Sequence, residues 1–203
     1  AQETRGLGDV YKRQGVVYFT ATIHGLVIVP ILPDFSEPEI DRIILHSEAK
    51  ALVASDKLYT KVSKEVIAGL SLVVRSMNLG VISHRKAAAR GVVSVPRSED
   101  LAAIIYTSGT TSEPKGVMLS HGNLCSELAM VSVLQPVYPT DIFLSILPLS
   151  HTFECSLGML LPFMWGAQVV YLDKAPTASV LLPVLRAVRP TIMLSVPLII
   201  EKI

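Results

Sequence analysis

The chain has 203 residues, half of them hydrophobic, and a formal net charge of +1, so it holds enough apolar material for one large or two small packed domains. Lysines and arginines are scattered, the cluster His84-Arg85-Lys86 with Arg90 reads as a solvated face, and 6% aromatics give no stacking platform, which argues against nucleic-acid binding. Cys125 and Cys155 lie in apolar helical contexts without metal-ligand spacing, suggest no disulfide framework, and fit a reducing cytoplasm.

Ala1 to Gln14 is polar and lacks periodicity, and no apolar core with a small-residue cleavage site marks it as a signal peptide. It is set apart from the fold as a non-native-looking leader, either a translated sequencing adapter or a disordered tail. From Gly15 the pattern alternates. Val16 to His24 reads as the end of a helix stopped by Gly25, and Leu26 to Leu32 as a buried strand closed by Pro33. Ser36-Glu37-Pro38-Glu39 is a capping box with proline in the first turn, starting a helix that carries Ile40, Ile43 and Ile44 on one face. A strand at Ala51 to Ala54, an amphipathic helix from Lys57 to Ala68 and a strand at Ser71 to Val74 follow, and His84 to Val95 is assigned to a loop.

Leu101 to Ile105 and Val117 to Leu119 read as two buried strands flanking Tyr106-Thr107-Ser108-Gly109-Thr110-Thr111-Ser112-Glu113-Pro114-Lys115-Gly116. The hydroxyls of Thr107, Ser108, Thr110 and Thr111, backbone N–H groups next to glycine, and the Lys115 ammonium are all donors. Such a set suits an ester phosphate or a polyphosphate. The Walker A spacing fails, because Pro114 precedes Lys115 and Gly116 follows it, and no G-x-G-x-x-G opens a helix.

Beyond this loop Ser120 caps a helix from about His121 to Leu134. Then come a strand at Asp141 to Leu147, a helix from His151 to Trp165, a strand at Ala167 to Leu172, a helix from Thr177 to Val188, a strand at Thr191 to Ser195 and a helix opened by Pro197. Cys155 to Leu172 carries no charge and is long enough to test as a membrane span, but Gly158, Pro162, Gly166 and Gln168 interrupt it. A buried helix stopped near Gly166, then a strand, is the better parse. The expected fold is α/β, with repeated β-α units forming largely parallel sheets flanked by helices.

The loop resembles the phosphate-loop signature of the adenylate-forming enzymes, [YF]-T-S-G-[ST]-T-G-x-P-K-G, with Ser112 where the family has glycine. Leu147-Pro148-Leu149-Ser150-His151-Thr152-Phe153-Glu154 is similar to the L-P-L-x-H-x-x-E segment of long-chain acyl-CoA synthetases. Arg189-Pro190-Thr191 with Val196-Pro197 and Glu201-Lys202-Ile203 resembles a further segment of that branch. The resemblance covers Gly15 to Ile203 and implies part of the large N-terminal, AMP-binding domain of such a ligase.

What it further implies is activation of a fatty acid by ATP to an acyl-adenylate, then transfer to coenzyme A. Thr107, Ser108, Gly109, Thr110, Thr111, Lys115 and Gly116 would hold the ATP phosphates, with Thr110 also reaching Mg²⁺. Lys115 and His151 would be catalytic, and His151 and Glu154 would line the substrate pocket. Glu154 can equally offset a helix N-terminal dipole, and His151 can cap a helix. Fatty acid, ATP and CoA are the implied partners. A long acyl substrate suggests peripheral contact with a membrane, although no anchor is encoded. The family's Y-G-x-T-E segment, ribose-binding aspartate, hinge and C-terminal lysine are not found in this sequence, so the chain alone is expected to carry the phosphate loop without turnover, the alternative being a catalytically inactive nucleotide-binding fragment.

Overall fold

The computed structural model describes residues 9–76, 78–85, 95–107, 115–172 and 176–201. The chain divides into two compact units, Val16–Asn123 and Ala1–Gly15 with Leu124–Ile203. Five strand pairings among the described residues comprise three parallel and two antiparallel ones, so the α/β class stands but the sheets are mixed.

Helix α1 (Asp9–Ile23) begins inside the stretch set apart on sequence. It ends where expected, with Gly25 at φ +69°, a backbone angle at which a Cβ is penalised. The strand expected at Leu26 to Leu32 is reduced to one parallel bridge, in which Ile28 N–H donates to Ala102 O (3.0 Å) and Ile104 N–H donates to Ile28 O (2.9 Å). Pro30 and Pro33 lack the N–H groups that would extend the ladder, and Leu26 and Val27 are exposed.

Helix α2 (Glu37–His46) starts on the expected capping box, where Glu39 Oε2 accepts from Ser36 N–H (2.8 Å) and Ser36 Oγ (2.6 Å). Its inner face, Ile40, Ile43 and Ile44, packs with Phe35, Val62, Val66 and Tyr106. Full burial of each isoleucine contributes about 1.5–3 kcal/mol. Strand β1 (Ala51–Ala54) follows. The single helix expected from Lys57 to Ala68 is two short ones, α3 (Asp56–Tyr59) and α4 (Lys64–Gly69). Two serines compete for the chain: Ser55 Oγ accepts from Leu58 N–H and Ser63 Oγ accepts from Val66 N–H, so each starts its own helix.

Strand β2 (Leu72–Arg75) runs parallel to β1, and β3 (Val81–His84) pairs antiparallel on its other side with a register shift at Val73/Val74. Sequence reading missed β3: its apolar pair Val81-Ile82 is adjacent rather than alternating, so it marks no core face, and all four residues are exposed. Strands β4 (Leu101–Thr107) and β5 (Lys115–Ser120) form an antiparallel pair. β4 is buried as expected. β5 is not, since Val117 and Met118 are largely exposed.

Helix α5 spans His121–Leu134, the range expected. Ser120 Oγ accepts from Asn123 N–H (3.1 Å), and Asn123 Oδ1 accepts from Ser120 N–H (3.0 Å), a reciprocal cap.

In the other unit, β6 (Ile142–Ser145) is the central strand of a parallel sheet between β7 (Gln168–Tyr171) and β8 (Ile192–Met193). Thr191 locks the start of β6: its Oγ1 donates to Asp141 Oδ1 (2.8 Å) and accepts from Ile142 N–H (3.0 Å). Leu144, Ile146, Leu172 and Leu181 form the core, the last from α7 (Ala178–Val188). A short α8 (Pro197–Ile200) starts on proline as expected.

The helix expected from His151 to Trp165 is not uniformly α. Glu154–Leu160 is a π-helix, continued by α6 (Leu161–Trp165) and stopped by Gly166 at φ +70°. Cys155 to Leu172, tested on sequence as a membrane span, is divided among the π-helix, α6 and β7, and among the described residues no helix is long and apolar enough to cross a membrane. Cys125 is exposed, Cys155 is buried, and the two are not joined in a disulfide.

Candidate functional site

In the Val16–Asn123 unit the candidate site is the β4–β5 pair. Thr107 and Lys115 are Cα partners at its open end, and both are exposed. Among the described residues neither the Thr107 hydroxyl nor the Lys115 ammonium has a hydrogen-bond or ion-pair partner. Ser108, Gly109, Thr110 and Thr111, and with them the Ser112 substitution, lie outside the described residues. Among the described residues no three His, Cys, Asp or Glu side chains gather to hold a metal. The Mg²⁺ role expected for Thr110 falls outside them too.

The stem of this pair is tightly specified. Tyr106 is the Cα partner of Gly116. A Cβ on Gly116 would lie 2.7 Å from Ile104 Cγ2 and 3.2 Å from Tyr106 Cζ, so glycine is required for the Tyr106 ring to lie across the strand. Tyr106 is buried in the α2 core, and that burial raises its phenol pKa and keeps it protonated. The hydroxyl finds one partner: Tyr106 Oη and His46 Nδ1 share a hydrogen bond of 2.7 Å, with the rings edge to face at 5.8 Å. Sequence reading missed His46, because nothing local links residues sixty positions apart.

In the other unit, His151 and Glu154 have opposite surroundings. His151 is exposed. Its backbone caps the helix start, with its N–H donating to Pro148 O (2.9 Å) and its carbonyl accepting from Cys155 N–H (2.9 Å). Glu154 is fully buried at the first position of the π-helix, and neither carboxyl oxygen has a hydrogen-bond partner. Burial therefore pushes its pKa up to about 7, against a smaller lowering by the nearby Ser145 hydroxyl, which itself lacks a partner at hydrogen-bond distance. It does not sit in solvent compensating a helix dipole.

Gly158 makes room for it: a Cβ there would lie 2.6 Å from Glu154 Oε1 and 2.7 Å from Cδ. Tyr171, paired with Ser145 across β6 and β7, is pushed up to about 12 by burial, then by the charges of Glu154 and Cys155. Two residues after Glu154, Ser156 Oγ donates to Glu127 Oε2 of α5 (3.1 Å). A glycine four residues after a buried acid is the sequence signal that could have flagged Gly158.

Residues 13–203 match the family described as AMP-binding enzyme. The chain belongs to that family. It is 35% identical over 134 residues to the peroxisomal long chain acyl-CoA synthetase 7 of Arabidopsis thaliana, an alignment covering 64% of this chain and 19% of the relative. A long-chain-fatty-acid-CoA ligase from Archaeoglobus fulgidus is similar in structure at TM-score 0.68 and 28% identity, over 87% of this chain and 36% of that one. The AMP complex of O-succinylbenzoate coenzyme A synthetase from Bacillus subtilis shares the fold at TM-score 0.76 and 19% identity, over 93% and 47%. This chain thus spans under half the length of each protein it resembles here.

Proposed function

We propose that this chain is the phosphate-binding part of an ATP-dependent ligase that activates a long-chain fatty acid, first as acyl-adenylate and then as acyl-CoA. The observation that carries this reading is the pairing of Thr107 with Lys115 at the end of β4 and β5, both exposed, with a hydroxyl-rich segment between them in sequence. Membership of the AMP-binding enzyme family and the likeness to long chain acyl-CoA synthetases support the same substrate class.

In that reaction a carboxylate oxygen attacks the α-phosphorus of ATP and pyrophosphate leaves. The thiol of CoA then attacks the acyl carbonyl and AMP leaves. Negative charge builds on phosphate oxygens in the first step, so donors fixed in advance are the main catalytic resource. Lys115 supplies a cation and Thr107 a hydroxyl, and Ser108, Thr110 and Thr111 add hydroxyls. Magnesium, when bound, neutralises phosphate charge, and Thr110 is the residue assigned to it. His151 faces the acid or adenylate from the exposed end of its segment, while Glu154 acts from inside the protein.

Calorimetric titration of the chain with Mg–ATP and with pyrophosphate tests this reading. Binding of both is expected, together with its loss in Lys115→Ala and no fatty-acid-dependent pyrophosphate release by the chain alone. Equal binding by Lys115→Ala would overturn it.

A further inference from the structure

Tyr106 stands one residue before Thr107 and opposite Gly116, which directly follows Lys115. Its ring therefore touches the strand that carries the only described cation of the candidate phosphate site. That ring is held on three sides. Buried side chains from α2, including Ile40, Ile43 and Ile44, share its core cluster. Gly116 lies under it, close enough that a Cβ would meet Cζ at 3.2 Å. At the hydroxyl, His46 Nδ1 sits 2.7 Å away.

His46 is itself exposed, in the last turn of a helix fixed at its start by the Ser36–Glu39 box and along its length by isoleucines. The bond joins the end of the β4–β5 pair to α2. A two-stranded ribbon alone is marginally stable. The phenol can donate to Nδ1 or accept from Nδ1–H, so the link survives either imidazole tautomer.

We propose that His46 is a positioning residue for phosphate binding: by holding the Tyr106 hydroxyl it fixes the Tyr106 ring across Gly116, and with it the backbone from which Lys115 extends. The inference rests on the reading of the β4–β5 pair as a phosphate site.

The test uses the 203-residue chain and four variants, His46→Ala, His46→Asn, Tyr106→Phe and the double variant His46→Ala/Tyr106→Phe, with Lys115→Ala as reference. Pyrophosphate and Mg–ATP affinities are measured by calorimetry, amide exchange is followed at residues 115–117, and urea midpoints monitor the fold. Loss of one neutral hydrogen bond is worth roughly two- to tenfold. His46→Ala and Tyr106→Phe should each weaken pyrophosphate binding by that factor and speed exchange at residues 115–117. The double variant should be no worse than either single one, and His46→Asn, whose amide can reach the phenol, should recover most of the loss.

If Lys115→Ala abolishes binding but His46→Ala and Tyr106→Phe bind as tightly as the parent, the positioning role is wrong and the phosphate site stands. If the parent chain binds neither pyrophosphate nor Mg–ATP, the phosphate-site reading fails and the positioning role falls with it. Additive losses in the double variant would also overturn the proposal, because the two residues would then act separately.

Discussion

Glu154→Gln should make the chain more stable at pH 8 and leave it unchanged at pH 4.5 or below. In the unfolded chain this carboxyl ionises at its ordinary value of 4.5, whereas in the folded protein burial holds it near 7. Between these values the folded state keeps a proton that the unfolded state releases. Stability is therefore full below pH 4.5, declines as pH rises, and has lost its whole increment above pH 7. A rise from 4.5 to about 7, at about 1.4 kcal/mol per factor of ten, corresponds to about 3 kcal/mol. That is a large share of a domain's usual 5–15 kcal/mol.

Glutamine keeps the shape and stays neutral, so it removes this decline. The assay is urea unfolding of parent and variant from pH 4.5 to 8.5. Histidines also titrate in this range, and subtracting one protein from the other cancels them and isolates position 154. The expected difference curve rises from zero at pH 4.5 to a plateau of about 3 kcal/mol above pH 7, in favour of glutamine. A flat difference curve, or a glutamine variant that is less stable at pH 8, would mean that the folded carboxyl is ionised without penalty. The description of Glu154 as buried and unpartnered would then be refuted.

Other substitutions probe the same surroundings and the frame around them. Gly158→Ala should destabilise by about 1–3 kcal/mol, because its methyl would meet the buried Glu154 carboxyl; the cost should shrink in a Glu154→Ala background, measured as a double-mutant cycle. Ser36→Ala should cost about 1 kcal/mol in urea unfolding by removing the α2 cap. Because Glu39 is held below its ordinary value by the Ser36 hydroxyl and then the Ser36 N–H, that difference should fade as pH falls below the usual carboxylate range. Thr191→Val, which cannot bridge Asp141 and Ile142 N–H, should lower the urea midpoint by an amount equivalent to about 1 kcal/mol.

Elements whose signals are local were readable in the sequence. The α2 capping box, the Gly25 and Gly166 stops, the Ser120 start of α5 and the proline at the head of α8 each depend on residues within one turn, and each is found where expected. The errors came where tertiary context or local competition decided. Pro33 reads as closing a strand, yet Pro30 within that strand removes a donor; Ser63 split a helix that its apolar period ran through, and β3 is an exposed edge whose apolar pair does not alternate.

At the candidate site, residue types pointed to phosphate chemistry, and the β4–β5 pairing agrees with the two described ends of that segment. The state of Glu154 could not be read in advance. Its spacing from His151 suggests a shared face on an α-helix, but the structure buries one and exposes the other. The contact between His46 and Tyr106 is set by how α2 packs on β4, which no sequence window contains.

The π-helix at Glu154–Leu160 has a consequence for how this segment tolerates changes of length. Each of its turns closes over one residue more than an α-turn, so its seven residues occupy less axis than an ordinary helix of equal count. Because a wide turn holds about one residue more than an α-turn, removing one residue would let the backbone relax to α-geometry while the flanking segments kept nearly the same facing. What would be lost is the wide turn itself, which seats Glu154 beside Gly158. The buried acid is thus a property of residue count as much as of residue type.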